Sequence, residues 1–304
     1  MPSKAALIAP GQGSQRPRGL ADQPASAREW FDRASALIGI DLWEAGSSWS
    51  EERLGRPSTL QPFLVAWAVA DVERMRATVP ELGGLDYVLG HSSGQNSAMV
   101  LSGALSFDDG IRFAYERGKH LDLGCEAELG TLVALAGVDE ELAREMGAAA
   151  GLQIANYNAL DQFVLGGAER AVVVGVEWAA RRSVAAVVLR VNGAFHTELF
   201  RRSDELSEPL IDTLPICESF TPLIGNAAGQ IISTADGLRA ELSQQYTRPI
   251  RWLDALQTAY DRGVRTFVVT GPGNAMAGLV RRFGKAQRER LRIVRLNAPS
   301  GEAN

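Results

Sequence analysis

Apolar and polar positions fall in alternating blocks along this 304-residue chain. Short apolar runs bounded by Gly, Pro or Asp alternate with longer stretches whose apolar residues recur every three or four positions. The first pattern predicts buried strands and the second amphipathic helices. Ala5-Ala6-Leu7-Ile8-Ala9 predicts a first strand that ends at the turn Pro10-Gly11-Gln12-Gly13-Ser14. Helical spacing follows from about Ala25 to Leu37 and from about Gln61 to Ala77. Asp86-Tyr87-Val88-Leu89 predicts a short buried strand, and Gln95 to Leu101 the start of a helix. Ser102-Gly103 is a stop, and a further helix is expected from about Phe107 to Leu121.

The middle of the chain changes character. Thr131–Ala136 predicts a strand, Glu140–Ala150 a helix, Gln153–Tyr157 and Phe163–Leu165 two strands around a polar turn, Glu169–Arg182 a helix and Ala185–Val191 a strand. That order, β-α-β-β-α-β, is the signature of a ferredoxin-like unit. Beyond it, helices are expected at Glu198–Thr213, Ala235–Gln245 and Pro249–Tyr260, with a strand at Pro222–Gly225. Thr266–Thr270 predicts a strand feeding Gly271-Pro272-Gly273 and a helix to about Phe283; Arg292–Leu296 predicts a last strand, and Pro299–Asn304 a frayed end. The fold class is α/β: a larger domain with a parallel sheet, residues 1–127 and 194–304, carrying an inserted small subdomain at 128–193.

Composition narrows the classes. At 46% hydrophobic and 22% charged, the chain can bury a sizeable core. A net charge of −5 argues against a nucleic-acid partner. Two cysteines, Cys125 and Cys217, can form neither a metal cluster nor a disulfide framework, which fits a reducing, cytoplasmic setting. The N-terminal apolar run is too short for a signal segment, and no stretch has the apolar length of a membrane span. No metal site is expected.

Gly90-His91-Ser92-Ser93-Gly94 reads as G-x-S-x-G between a strand and a helix. A serine on so sharp a turn exposes its hydroxyl, and the next N–H lies at a helix N-terminus where it can stabilise an oxyanion. Ser92 is therefore a candidate nucleophile for acyl chemistry, against the alternative of an ordinary Gly/Ser turn. A histidine base must be His91, His120 or His196. His91 adjoins the serine and is expected to point elsewhere, and His120 lies in a helical stretch of mixed polarity. His196, between the small subdomain and the next helix, sits at a natural cleft position; a capping or surface role is its alternative. The Gln12 turn offers a second oxyanion N–H. A phosphate loop is its rival, discounted because the Gly-Lys-Ser/Thr ending is missing.

Gly11-Gln12-Gly13-Ser14-Gln15, Gly90-His91-Ser92-Ser93-Gly94, Ala194-Phe195-His196 and Gly271-Pro272-Gly273 occur in the order seen in malonyl-CoA:acyl-carrier-protein acyltransferases, and the resemblance runs from about Ala5 to Leu296. It implies an α/β-hydrolase-like catalytic domain with a ferredoxin-like subdomain. Ser92 would be the acylated serine and His196 its base. Gln245 would match the residue whose backbone carbonyl or amide orients the histidine. Gln12 and Ser93 would supply oxyanion N–H groups, and Arg117 would match the arginine that holds the malonyl carboxylate. A guanidinium suits that task because it pairs with a carboxylate bidentately. Without the resemblance, Arg117 reads as a solvated helix residue. Gln61, Asn158 and Phe195 match other pocket positions. The substrates implied are coenzyme A thioesters and the phosphopantetheine of an acyl carrier protein, with no bound cofactor, in fatty-acid or polyketide biosynthesis.

The chain departs from the family pattern near the pocket. Ser93 and Gln95 stand where leucine and glutamate are usual, Arg190-Val191-Asn192 where Pro-Val-Ser is usual, and Gly225-Asn226-Ala227 where a serine-containing strand end is usual. Asn158-Ala159-Leu160-Asp161-Gln162 stands for Asn-x-Pro-Gly-Gln. These changes put the acyl group in question more than the reaction. A non-malonyl transferase between carrier proteins, an acyl-carrier-protein hydrolase and a catalytically silent carrier-binding partner are the rival functions. Arg281, Arg282, Lys285, Arg288, Arg290 and Arg292, with Arg181-Arg182 and Arg201-Arg202, suggest either a basic rim that steers an acidic carrier protein or ordinary solvated helix faces.

Overall fold

The structure is a computed structural model, and it describes residues 4–15, 20, 23–127 and 129–296. The expected end at 299–304 lies outside the described residues, as does position 128 at the expected subdomain boundary.

The chain opens with β1 (Lys4–Ala9), then α1 (Ala25–Ile38), α2 (Leu42–Ser48), α3 (Glu51–Leu54) and α4 (Pro57–Met75). Strand β2 (Tyr87–Gly90) leads into α5 (Gly94–Leu101) and the long α6 (Phe107–Ala127). A compact run follows: β3 (Gly130–Ala136), α7 (Glu140–Ala150), β4 (Gln153–Ala159), β5 (Gln162–Ala168), α8 (Glu169–Arg181) and β6 (Ala185–Val188). The chain then forms α9 (Arg201–Asp212), β7 (Leu223–Ile224), β8 (Ile231–Ile232), α10 (Ala235–Leu242), α11 (Trp252–Asp261), β9 (Val264–Val269), α12 (Ala275–Ala286) and β10 (Arg292–Arg295).

Two sheets result. The larger has the order β10-β9-β1-β2-β7-β8, parallel except for β8, which pairs antiparallel with β7. β1 and β2 lie inside it, and their near-continuous apolar runs are those of strands covered on both faces. The smaller sheet is antiparallel, in the order β4-β5-β3-β6, with α7 and α8 packed on one side. This is the ferredoxin-like arrangement that the β-α-β-β-α-β order predicts. Among the described residues, no helix is long and apolar enough to cross a membrane.

α4 is buried along most of its length because it lies between α1 on one side and α5 and α6 on the other. α6 crosses it closely at Gly118, where a Cβ would come 2.5 Å from the Ser58 Cα. A side chain there would drive the helices apart and carry Arg117, one residue earlier, with them.

Two expected helices are shorter than their patterns. α10 stops at Leu242 rather than Gln245, and α11 starts at Trp252 rather than Pro249. The intervening segment is used otherwise. Gln244 takes a left-handed φ of 58°, and the Ile250 N–H and carbonyl bond Ala155 and Tyr157 of β4, each at 2.8 Å. Tertiary hydrogen bonds here override a local helical preference.

Candidate active site

The elbow after β2 places Ser92 at φ 53°, a left-handed conformation that a non-glycine residue rarely adopts. Surrounding bonds hold it there. The Asn226 Oδ1 accepts from the Ser92 N–H at 3.1 Å, and the Asn226 Nδ2 donates to the Gly90 carbonyl at 2.9 Å and to the Gln95 Oε1. Gly94 lets the elbow sit against the end of β1, since a Cβ there would lie 2.4 Å from the Ala9 oxygen. That contact brings the Pro10–Ser14 turn alongside, where the Gln12 N–H donates to the Ser93 Oγ at 3.0 Å.

Ser92 Oγ lies 2.7 Å from His196 Nε2. The far side of the ring, Nδ1, is 3.0 Å from the Gln245 carbonyl and 3.2 Å from that of Arg248. Two carbonyls can only accept, so Nδ1 carries the proton and Nε2 is left to accept from the serine hydroxyl. His196 is itself left-handed, at φ 65°. Burial pushes its pKa down to about 4, against the opposing hydrogen bond to the Gln245 carbonyl, so the ring is neutral at neutral pH. A neutral imidazole on a serine hydroxyl is the arrangement for general-base activation, here with carbonyls where many such sites have a carboxylate.

Ser92, His196, Gln12, Ser93, Gln61, Asn158 and Phe195 all line one cleft of about 540 Å³ between the two sheets. Asn158 Oδ1 pairs with His91 Nε2 at 3.0 Å, while the His91 ring packs edge-on to Trp252, so His91 points away from the serine as expected. His120 is remote, with Nδ1 3.1 Å from Ser207 Oγ. Gln61 Nε2 donates to the Tyr246 hydroxyl at 3.0 Å, and Gln61 Oε1 accepts from Asn96 at 2.8 Å.

Arg117 stands apart from the cleft lining. It is 0% exposed: Nη1 donates to Gln245 Oε1 at 2.6 Å and Nη2 to the Leu242 carbonyl at 2.7 Å, while Asp204 Oδ1 lies 3.7 Å away. The Tyr246 ring covers it, with its centroid 4.6 Å from the guanidinium carbon. Arg117 is thus neither the solvated residue of the bare helical pattern nor, in this arrangement, open to the cleft. Asp204 also accepts from the Tyr246 and Thr247 N–H groups. Burial raises the Asp204 pKa, opposed by Arg117 and these N–H donors.

Several site-building residues carried no assigned role in the sequence: Asn226, Gln95, Asp204 and Tyr246. The unusual Gly225-Asn226-Ala227 and Gln95 were signals of position without a stated task. Asp204 gave none, because it sits in a polar helical stretch. Five of the ten basic side chains of the suggested rim are ion-paired: Arg282 with Asp161 at 2.9 Å, Arg181 with Glu177 at 3.7 Å, Arg202 with Glu205 at 3.4 Å, and Arg201 with Glu198 and Arg292 with Glu81. Local ion pairing thus engages half of the suggested rim. Among the described residues, no His/Cys/Asp/Glu group is placed to hold a metal ion.

No family model matches the chain. It is 28% identical over 308 residues to the malonyl CoA-acyl carrier protein transacylase of Bacillus subtilis, covering 98% of this chain and 94% of that one. The crystal structure of the malonyl-CoA:acyl carrier protein transacylase of Xanthomonas oryzae pv. oryzae superposes with a TM-score of 0.89 at 30% identity, covering 98% of this chain and 96% of that one. A malonyl-transacylase in complex with its type II polyketide-synthase acyl-carrier protein superposes with a TM-score of 0.86 at 26% identity, covering 96% and 95%.

Proposed function

Since this chain belongs to the malonyl-CoA:acyl-carrier-protein acyltransferase family, we propose that it moves an acyl unit, malonyl in its named relatives, from coenzyme A to the phosphopantetheine thiol of an acyl carrier protein. The observation that carries this reading is the Ser92–His196 contact with the imidazole tautomer fixed from behind.

The first half-reaction begins when His196 Nε2 takes the Ser92 proton as Oγ attacks the thioester carbonyl. The tetrahedral oxyanion is held by the Ser93 N–H and by the Gln12 N–H, which must first leave the Ser93 Oγ it is bonded to. The C–S bond then breaks, the coenzyme A sulfur takes the proton back from Nε2, and an acyl ester remains on Ser92. In the second half, the phosphopantetheine thiol gives its proton to Nε2 and its sulfur attacks the ester. Oγ leaves and recovers that proton. Both thioesters are substrates rather than resident cofactors. Side chains of β3, β4 and β5 form one wall of the cleft over this chemistry.

Intact-protein mass spectrometry tests the reading. Incubation with malonyl-CoA should leave one malonyl adduct on the wild type and none on Ser92→Ala, and added phosphopantetheinylated carrier protein should remove the adduct and gain it. An adduct that persists in Ser92→Ala, or one that passes only to water, would overturn the proposal.

A further inference from the structure

Asn226 holds the Ser92 elbow through its side chain, and the group that holds Asn226 lies outside the cleft lining. Near the end of α10, Glu241 directs its carboxylate into the turn between β7 and β8. It is 3% exposed. Its Oε1 accepts from the Asn226 and Ala227 N–H groups, the latter at 3.2 Å, and its Oε2 accepts from Gln230 Nε2 at 2.7 Å. Gly225 makes room for this approach, since a Cβ there would lie 2.7 Å from Oε2. Burial raises the Glu241 pKa, opposed by these donors.

The consequence reaches both reacting side chains. The Asn226 N–H is taken by Glu241, and its carbonyl accepts from the Arg251 N–H at 2.7 Å, so the residue has little freedom to turn. Its carboxamide is thereby aimed at the Ser92 N–H and the Gly90 carbonyl, the contacts that keep Ser92 left-handed. Just beyond α10 in the same stretch of chain, the Gln245 carbonyl holds His196. Gln95, which stands where the family pattern has glutamate, is neutral and accepts from the Asn226 and Gln245 amides. The carboxylate of this network comes from α10 instead.

We infer that Glu241 is a positioning residue for acylation of Ser92: through Asn226 it fixes the nucleophile elbow against the histidine that the same stretch of chain holds through Gln245. The inference rests on the acyl-Ser92 reading and adds to it a residue that touches neither the substrate nor the reacting atoms.

Rapid-quench intact mass on the full-length protein gives the rate constant for acylation by malonyl-CoA in the wild type, Glu241→Met, Asn226→Ala and the double variant. Methionine keeps the reach of the side chain and removes both acceptor oxygens. The rate constant comes from the time course, so a misfolded fraction lowers the amplitude and not the rate. At saturating donor, Glu241→Met should slow acylation by at least about tenfold, with the half-saturating malonyl-CoA concentration unchanged. In Asn226→Ala, where the route is already cut, the same substitution should cost less than about threefold more. A smaller slowing of the single variant, or a larger further loss in the Asn226→Ala background, overturns the inference. If Glu241→Met does not fold, Gln230→Ala decides, because it releases Oε2 from an exposed position. That variant should slow acylation by at least about threefold, and a lesser change overturns the inference. No adduct on wild-type Ser92 overturns the acyl-enzyme reading itself, and the inference with it.

Discussion

Gln245 touches both halves of the cleft, and the two halves are built differently. Toward Ser92 it offers its backbone carbonyl to His196, and toward Arg117 it offers its side-chain Oε1. Behind the histidine the partners are main-chain groups, the Gln245 and Arg248 carbonyls, whereas the elbow also leans on side chains, Asn226 on the Ser92 N–H and Ser93 Oγ on the Gln12 N–H. Around Arg117 the contacts are mostly between side chains, Gln245, Asp204, Tyr246 and Gln61, with the Leu242 carbonyl and the Tyr246 and Thr247 N–H groups as main-chain partners. Main-chain partners survive most substitutions, whereas side-chain partners change with a single codon. The orientation of the histidine ring is thus insulated from most side-chain changes around Arg117.

Substitutions on the reacting side should show how strong that insulation is. Removing the imidazole has the largest expected effect: His196→Ala should slow Ser92 acylation by about 10²–10⁴-fold, measured by rapid quench and intact mass. A loss under tenfold would mean another group takes the proton. In the wild type the lowered His196 pKa keeps the base neutral, so acylation should hold its plateau well below pH 6.5 and fall only as pH drops through about 4.

Asn226→Ala probes a side chain on which the elbow depends. It leaves the Ser92 N–H and the Gly90 carbonyl without their partner, and should cost about 10–100-fold in acylation and roughly 1–3 kcal/mol of stability. Urea unfolding beside the burst rate would separate the two effects, and an unchanged burst rate would show that the elbow holds itself. The smallest effect is expected from Ser93→Ala. Its hydroxyl now occupies the Gln12 N–H, so its loss should free that donor and speed acylation by a few-fold. A slowing would mean that the hydroxyl positions the turn more than it competes.

What the sequence disclosed follows the same division. Ser92 was legible because strand, glycine turn and helix lie within a dozen positions, and β1 and β2 because apolar runs mark strands covered on both faces. The pairing of Ser92 with His196 could be narrowed by counting three histidines, but not oriented. The carbonyls that set its tautomer belong to a segment whose pattern reads as the ends of two helices. Asp204 was hidden for a further reason. In Arg201-Arg202-Ser203-Asp204-Glu205 its surroundings are those of a solvated face, yet α9 packs against α6 and the loop after α10, and the carboxylate is buried there. Burial of that kind is a property of packing between distant segments, and local periodicity does not carry it.

The two hydrogen bonds between Ile250 and β4 have a mechanical meaning. They stitch the edge of the small sheet to the same loop whose Gln245 and Arg248 carbonyls grip the histidine ring. Any rocking of the small sheet that widens the cleft for a carrier's arm must either break this seam or drag the loop with it. While the seam holds, opening the door and misaligning the imidazole are one motion.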